Sequence, residues 1–244
     1  MVPTLSSRKV KQVACGDYHT LCLLEDKTVY MWGGSLHKDK KERGKNNEMN
    51  SHSVNAPQPI SALYGLEIEA IECGDFHSCA LDSNGHLYTW GGGSSQSYNK
   101  GQCGHGHNKS VEQPLKVKAL DKKRVTKIAC GGFHTLALTS ENELYAWGAC
   151  QLGECGNGEF YDTYLPKLVK FPSEDLSKTE RAIQEELGDD DVLDMYLKES
   201  IAIKSIAAGG HHSFALTTKG KLYAWGFNSH GQLGLRCTQN KAKP

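Results

Sequence analysis

The chain has 244 residues, enough for one large domain or two small ones with a buried core. Its 28 basic and 28 acidic side chains balance, so net charge predicts neither a nucleic-acid partner nor a membrane surface. Residues 1–8 lack the basic and apolar regions of a secretory signal, and no apolar run approaches the roughly 18 residues of a membrane span.

The first predicted element is a short strand at residues 2–5, with the sequence Val-Pro-Thr-Leu. Similar proline-led stretches at 57–60, 114–117 and 166–169 each precede one of the repeated motifs described next. Because proline cannot donate to a sheet ladder, such strands should start or edge a sheet. We therefore interpret Pro3 as part of a weak first copy of this edge strand.

A motif built on a glycine and a histidine occurs four times. In each copy a Trp-Gly pair lies thirteen residues after the histidine, and these four tryptophans are the only ones in the chain. The shared spacing indicates an internal repeat, with periods of 58, 57 and then 78 residues. The defining residues are Gly16, His19 and Trp32; Gly74, His77 and Trp90; Gly131, His134 and Trp147; and Gly209, His212 and Trp225.

Each motif histidine opens a predicted strand in which large and small side chains alternate. Residues 19–23 place a histidine and two leucines on one face, and a threonine and a cysteine on the other. Neither face carries a charge, so the strand should be covered on both sides, as a propeller blade is by its neighbours. Turn signals such as Asn84-Gly85 lead into a third strand whose Tyr and Trp share a face.

Short strands, glycine-rich turns and a period near 57 predict an all-β fold of β-propeller blades. We expect one domain spanning residues 1–244. The blade motifs are placed near 12–60, 70–117, 127–169 and 205–240.

The extra length of the third period falls in an acidic segment, residues 173–200, with ten acids and three bases. Ser177-Lys-Thr-Glu180 has the spacing of a capping box, and apolar residues four apart follow it, which predicts a short helix. A second amphipathic turn is expected behind Asp189 to Asp191. This helical insertion either packs on the rim of a blade or supplies a binding site.

Two basic stretches, one after the first tryptophan and one between the second and third copies, are either solvated loops or partner-binding loops. Together with the insertion they provide the candidate docking elements. The candidate partner-binding residues are Lys38, Lys40, Lys41 and Arg43; Lys122, Lys123 and Arg124; and Glu185, Glu186, Asp189, Asp190 and Asp191.

The recurrence of the histidine argues against catalysis. A catalytic histidine is needed once, whereas one per repeat indicates a buried hydrogen bond that ties the strands together. The four motif glycines are expected to supply turn conformations that a β-carbon disfavours. No nucleophile elbow, phosphate loop, zinc-protease motif or dinucleotide fingerprint occurs, so we predict no catalytic residue and no cofactor.

The cysteines follow the repeat. Cys15, Cys73 and Cys130 share the repeat position of Ala208, and Cys103 and Cys155 share that of Leu233. These shared positions predict small apolar core residues and no metal site. Nine cysteines without a CxxC pair favour a reducing compartment. We expect an intracellular location: the cytoplasm, the nucleus, or a ciliary or cytoskeletal assembly.

The order Gly-x-x-His-[Ser/Thr], then Tyr-x-Trp-Gly, then Gly-Gln-x-Gly resembles the regulator of chromosome condensation repeat family across roughly residues 2–240. Glu72, in place of a small residue, is the one departure in the first element of the motif. The resemblance implies blades of four antiparallel strands around a central axis. Members usually carry seven blades and this chain carries four, so we expect part of a larger ring, completed outside this chain or by a partner.

The resemblance leaves two functions open. The first is a non-catalytic scaffold for protein–protein interaction, and the alternative is a guanine-nucleotide exchange factor for a small Ran-like GTPase. The exchange factor of the family uses a protruding β-hairpin, whereas the insertion here is predicted to be helical, which favours the scaffold. Expected partners are other proteins, including a small GTPase or a chain that completes the propeller; membranes and nucleic acids are not expected.

Overall fold

The computed structural model describes residues 1–34, 53–93, 98–172 and 201–244. The predicted helical insertion at 173–200 lies outside the described residues. So do the candidate partner-binding residues Lys38, Lys40, Lys41, Arg43, Glu185, Glu186, Asp189, Asp190 and Asp191.

Fifteen strands in the described ranges form four antiparallel sheets, each a meander of strands adjacent in sequence. Blade 1 contains β1 (Val10–Cys15), β2 (His19–Leu24), β3 (Val29–Gly34) and β4 (Ser53–Pro59). Blade 2 contains β5 (Ile68–Cys73), β6 (His77–Asp82), β7 (Leu87–Gly91) and β8 (Val111–Lys116). Blade 3 contains β9 (Val125–Cys130), β10 (His134–Thr139), β11 (Leu144–Gly148) and β12 (Thr163–Leu168), and blade 4 contains β13 (Ile203–Ala208), β14 (His212–Thr217) and β15 (Leu222–Gly226).

The predicted all-β blades are confirmed, with one difference in strand number. Blades 1 to 3 have four strands, whereas the fourth sheet has three described strands. Its outer position is held by a single antiparallel bridge between Gly226 and Lys241. No helix in the described ranges is long and apolar enough to cross a membrane.

The prediction of a strand at residues 2–5 was wrong. Pro3–Leu5 is a short 3-10 helix, equivalent to Ser61–Leu63 and Lys118–Leu120, which follow the edge strands β4 and β8. The sequence signal is ambiguous because proline suits both an edge strand and the first turn of a helix, where its missing N–H costs no hydrogen bond. Each of these turns buries its final leucine.

The tight turns between the second and third strands of each blade are where the sequence placed them. Gly85 and Gly220 adopt φ values of +84° and +79°, and Lys27 and Asn142 take the same left-handed conformation at +69° and +63°. Glycine and asparagine tolerate this conformation, whereas lysine does so at a steric cost.

Blades stack in sequence order, the large-residue face of one against the small-residue face of the next. The predicted sharing of a face by Tyr and Trp is confirmed, because Trp90 pairs with Ser78 and Tyr88 with Ala80. Blade 1 contributes Leu21 and Leu23 to a cluster with Ala80 and Trp90; blade 2 contributes Cys79 and Leu81 to one with Ala137 and Trp147; and blade 3 contributes Leu136 and Leu138 to one with Ala215 and Trp225.

The burial of the second strand of a blade depends on whether the blade has a neighbour on each face. Every residue of β6 and β10 is buried, as expected for a strand between two other layers. In β14 buried residues alternate with half-buried ones, because only its small-residue face is covered. Strong packing links each blade to its sequence neighbours, and the sheets of the described chain do not close into a ring.

Candidate functional site

The motif histidine of one blade bonds to the hydroxyl that follows the motif histidine of the next blade. At the interface of blades 2 and 3, His77 Nε2 lies 2.8 Å from Thr135 Oγ1. That hydroxyl donates to the Gln102 carbonyl at 2.8 Å, and Trp147 Nε1–H donates to the same carbonyl at 2.8 Å. Since the Thr135 proton is used for Gln102, His77 Nε2 must be the protonated nitrogen that donates to Thr135.

The interface of blades 3 and 4 repeats the arrangement. His134 Nε2 lies 2.9 Å from Ser213 Oγ, which donates to the Glu154 carbonyl at 2.8 Å. Trp225 Nε1–H also donates to Glu154, again at 2.8 Å. Between blades 1 and 2, His19 Nε2 lies 2.8 Å from Ser78 Oγ. We call this set of bonds the blade latch.

The Gly-Gln-x-Gly and Gly-Glu-x-Gly motifs supply the loop carbonyls of the latch. Gly104 and Gly156 have positive φ values of +76° and +67°. A β-carbon on Gly104 would lie 2.7 Å from Trp147 Nε1, and one on Gly156 would lie 2.6 Å from Trp225 Nε1. These glycines therefore let the loop of one blade approach the tryptophan of the next.

The motif glycines have a different role from the predicted one. None of the four has a positive φ. Instead, a β-carbon on Gly74 would lie 2.3 Å from His77 Cε1, and one on Gly131 would lie 2.0 Å from His134 Cε1. Each glycine is required because the histidine ring of its own blade occupies the space that a side chain would need.

The latch histidines are unsuited to proton transfer. Burial lowers the pKa of His77 and of His134 to about 3, so both rings are neutral near pH 7. General acid–base catalysis needs a pKa close to the working pH. The Nδ1 atoms of both rings are buried and have no hydrogen-bond partner. His212, on a face of blade 4 that no described blade covers, is half-buried and packs edge-on against Phe214, with ring centroids 5.6 Å apart.

A row of rings runs across the blades at the position before each motif histidine. Tyr18 and Phe76 have ring centroids 5.5 Å apart, Phe76 and Phe133 are 5.2 Å apart, and Phe133 and His211 are 5.9 Å apart. His211 Nδ1 bonds to Glu154 Oε1 at 3.2 Å, and this bond raises the pKa of His211. The sequence shows a ring residue at this position in every copy, but it does not predict the contacts between neighbouring rings.

The basic stretch between the second and third copies is not a continuous free patch. Lys123 forms ion pairs with Glu141 at 2.5 Å and with Glu143 at 2.8 Å. Arg124 Nη2 donates to the Ser83 carbonyl at 2.8 Å. Lys122 is exposed.

Among the described residues, no blade packs on the large-residue face of blade 4. Leu222 is 63% exposed, whereas its equivalents Val29, Leu87 and Leu144 are each 1% exposed. Phe214 and Leu216 on the same face are half-buried. These apolar side chains make the face a candidate interaction surface.

Two cysteine predictions need correction. Cys150 and Cys155 form a disulfide, so Cys155 is more than an apolar core residue. Cys15 is exposed, because no blade in the described part of the chain lies against the small-residue face of blade 1 at that point. The reducing compartment inferred from the cysteine content stays a prediction.

The profile of the RCC1-like domain family matches residues 1–244. The chain belongs to the RCC1-like domain family. This RCC1-like chain is 29% identical over 267 residues to the ultraviolet-B receptor UVR8 of Arabidopsis thaliana, covering 98% of the chain and 58% of UVR8. It is 32% identical over 273 residues to the E3 ubiquitin-protein ligase HERC2 of Homo sapiens, covering 100% of the chain and 5% of HERC2.

Among solved structures, the chain is similar to Prp20p from Saccharomyces cerevisiae. The TM-score is 0.69 with 25% sequence identity, covering 100% of this chain and 51% of Prp20p. The RCC1-like chain therefore spans about half of the length of UVR8 and Prp20p, and a small part of HERC2.

Proposed function

We propose that this RCC1-like chain is a non-catalytic scaffold for protein–protein interaction, and that the large-residue face of blade 4 is one of its docking surfaces. The observation that carries the proposal is the exposure of Leu222 on a face that a following blade covers in blades 1 to 3. Fully burying an exposed leucine or phenylalanine contributes roughly 1.5–3 kcal/mol. Covering Phe214, Leu216 and Leu222 together would therefore add substantial binding free energy.

The packing between neighbouring blades indicates what this face would bind. Blades 2, 3 and 4 each present a small-residue face with an alanine, a hydroxyl residue and a tryptophan to the blade before them. The complementary occupant is thus a β-sheet with such a face. The equivalent face of blade 1 has Thr20, Cys22 and Trp32; Thr20 and Trp32 are half-buried, and Cys22 is buried in a cluster with Leu5.

The substitution Leu222→Lys tests the docking surface. We expect the wild-type chain to self-associate and to bind an apolar fluorescent dye through the exposed face. Leu222→Lys should reduce self-association and dye binding at least about tenfold, because it places a charge in an apolar contact. Sedimentation velocity and dye fluorescence measure the two effects.

Leu115→Lys is the matched control, because Leu115 is 45% exposed on the edge strand β8, in blade 2. It should leave association and dye binding unchanged. A wild-type chain that shows neither property, or equal effects of the two substitutions, would contradict the docking surface.

Nucleotide exchange is the second candidate function. Prp20p of Saccharomyces cerevisiae has binding properties toward Gsp1p and histones, and this chain shares the fold of Prp20p at 25% identity. Exchange requires a binding surface rather than a reactive side chain, so the absence of an acid–base residue from the latch does not oppose it. Release of labelled GDP from a panel of small GTPases tests it: clear acceleration would favour exchange over a pure scaffold.

The charged segments belong to the same proposal. Lys38 to Arg43 and Glu185 to Asp191 lie outside the described residues, and they are proposed as additional docking elements on the strength of their charge alone.

A further inference from the structure

The interface of blades 2 and 3 brings together two thiols and an imidazole. Cys79 projects from the large-residue face of blade 2 and Cys130 from the small-residue face of blade 3, and their Sγ atoms are 3.3 Å apart. A ring nitrogen of His77 and the two sulfur atoms all lie within 4.8 Å of one another. His77 and Cys79 are completely buried, and Cys130 is partly buried.

The other two described interfaces lack this grouping. The position of Cys79 is held by Leu21 in blade 1 and by Leu136 in blade 3. Leu21 faces Cys73 across the first interface, and Leu136 faces Ala208 across the third. Replacement of a leucine by cysteine at the middle interface therefore removes apolar bulk and places a second sulfur beside the first.

We propose that His77, Cys79 and Cys130 form a binding site for a thiophilic divalent metal ion of the zinc class. Thiolate and imidazole are ligands that Zn²⁺ prefers, at about 2.3 Å and about 2.0–2.1 Å. In a tetrahedral site those lengths place two sulfur atoms about 3.8 Å apart. The two sulfur atoms need to separate by only about 0.5 Å to reach this geometry.

The chemistry of the donors supports the assignment. The hydrogen bond to Thr135 keeps the proton of the neutral His77 ring on Nε2. The unprotonated Nδ1 is buried without a hydrogen-bond partner, so its lone pair is unused. Two thiolates neutralise a divalent cation, which suits a buried location, and the two thiol protons pass to solvent when the metal binds.

Metal titration of the reduced, metal-free chain tests the site. We expect one equivalent of Zn²⁺ to raise the melting temperature, and one equivalent of Cd²⁺ to produce the ultraviolet charge-transfer absorption of cadmium–thiolate bonds. Cys79→Leu and Cys130→Ala install the residues of the interface between blades 3 and 4. Each should fold and lose affinity by about 100-fold or more, since even indirect ligand contacts change affinity by 10–100-fold.

Two controls separate this site from the other cysteines. Cys237→Ala removes a free thiol that follows the last strand of blade 4. The double substitution Cys150→Ala with Cys155→Ala removes the two thiols that reduction of the disulfide would produce. Both variants should still bind one equivalent of Zn²⁺ or Cd²⁺ tightly. Cadmium NMR of the unsubstituted chain counts sulfur ligands without any variant, and we expect two or more.

Three results would overturn the proposal. The first is a failure of the unsubstituted chain to bind one equivalent of metal tightly, and the second is tight binding that survives both Cys79→Leu and Cys130→Ala. The third is a cadmium chemical shift typical of oxygen ligands. A Cys79–Cys130 disulfide as the stable state under reducing conditions, detected by alkylation and mass spectrometry, would also overturn it.

Discussion

Trp147→Ala is expected to lower the free energy of unfolding by about 3–5 kcal/mol. Trp147 is 0% exposed and packs with Cys79 and Leu81 of the preceding blade. Its removal leaves a cavity at the interface of blades 2 and 3 and deletes the bond from Nε1 to the Gln102 carbonyl. Chemical denaturation followed by circular dichroism measures the change.

Trp32→Ala is the matched comparison for this prediction. Trp32 occupies the same motif position, but it is half-buried because no blade lies before blade 1 in the described chain. We expect less than half of the loss seen for Trp147→Ala, since most of the cost comes from packing against a preceding blade. Equal losses would show that the tryptophan stabilises its own blade and not the interface.

Gly131→Ala should destabilise the chain by about 3 kcal/mol or more, at the upper end of the range for overpacking. The new β-carbon would lie 2.0 Å from His134 Cε1 and 2.7 Å from the Gly209 carbonyl oxygen. The His134 ring cannot move away from the new β-carbon without losing its hydrogen bond to Ser213. The variant must therefore keep the steric clash or lose this bond of the blade latch. Thermal unfolding is the appropriate measurement.

Gly210→Ala provides the control for steric change. A β-carbon at Gly210 would meet nothing within 4 Å, and its φ is not positive. The expected change is within about 0.5 kcal/mol. If Gly131→Ala proved as mild as Gly210→Ala, the close approach of glycine and histidine would be refuted.

The blade architecture could be predicted because it depends on local patterns. Alternation in 19–23 and its copies showed which strands are covered on two faces, and the pairing of Tyr88 and Trp90 on one face followed from the period of two. Pro3 was misplaced because the same residue suits two neighbouring elements of the repeat. The three-stranded fourth sheet follows from no local signal.

The candidate sites depend on contacts between blades, which the repeat alone does not specify. Sequence indicated a buried bond for His134 but could not identify Ser213, 79 residues away, as the partner. The contact of Cys79 with Cys130 was missed for the same reason, since each cysteine separately fits an apolar position. A comparison of position 79 with its equivalents, which are larger in every other copy, is the signal that could have found it.

The claim that the motif histidines of blades 1 to 3 each fasten their blade to the next is tested most directly by a double-mutant cycle on His134 and Ser213. The free energy of unfolding is measured for the unsubstituted chain, His134→Ala, Ser213→Ala and the double variant. We predict a coupling energy of about 1–3 kcal/mol, as for residues in one buried network. Additive losses, with coupling below about 0.3 kcal/mol, would contradict the latch.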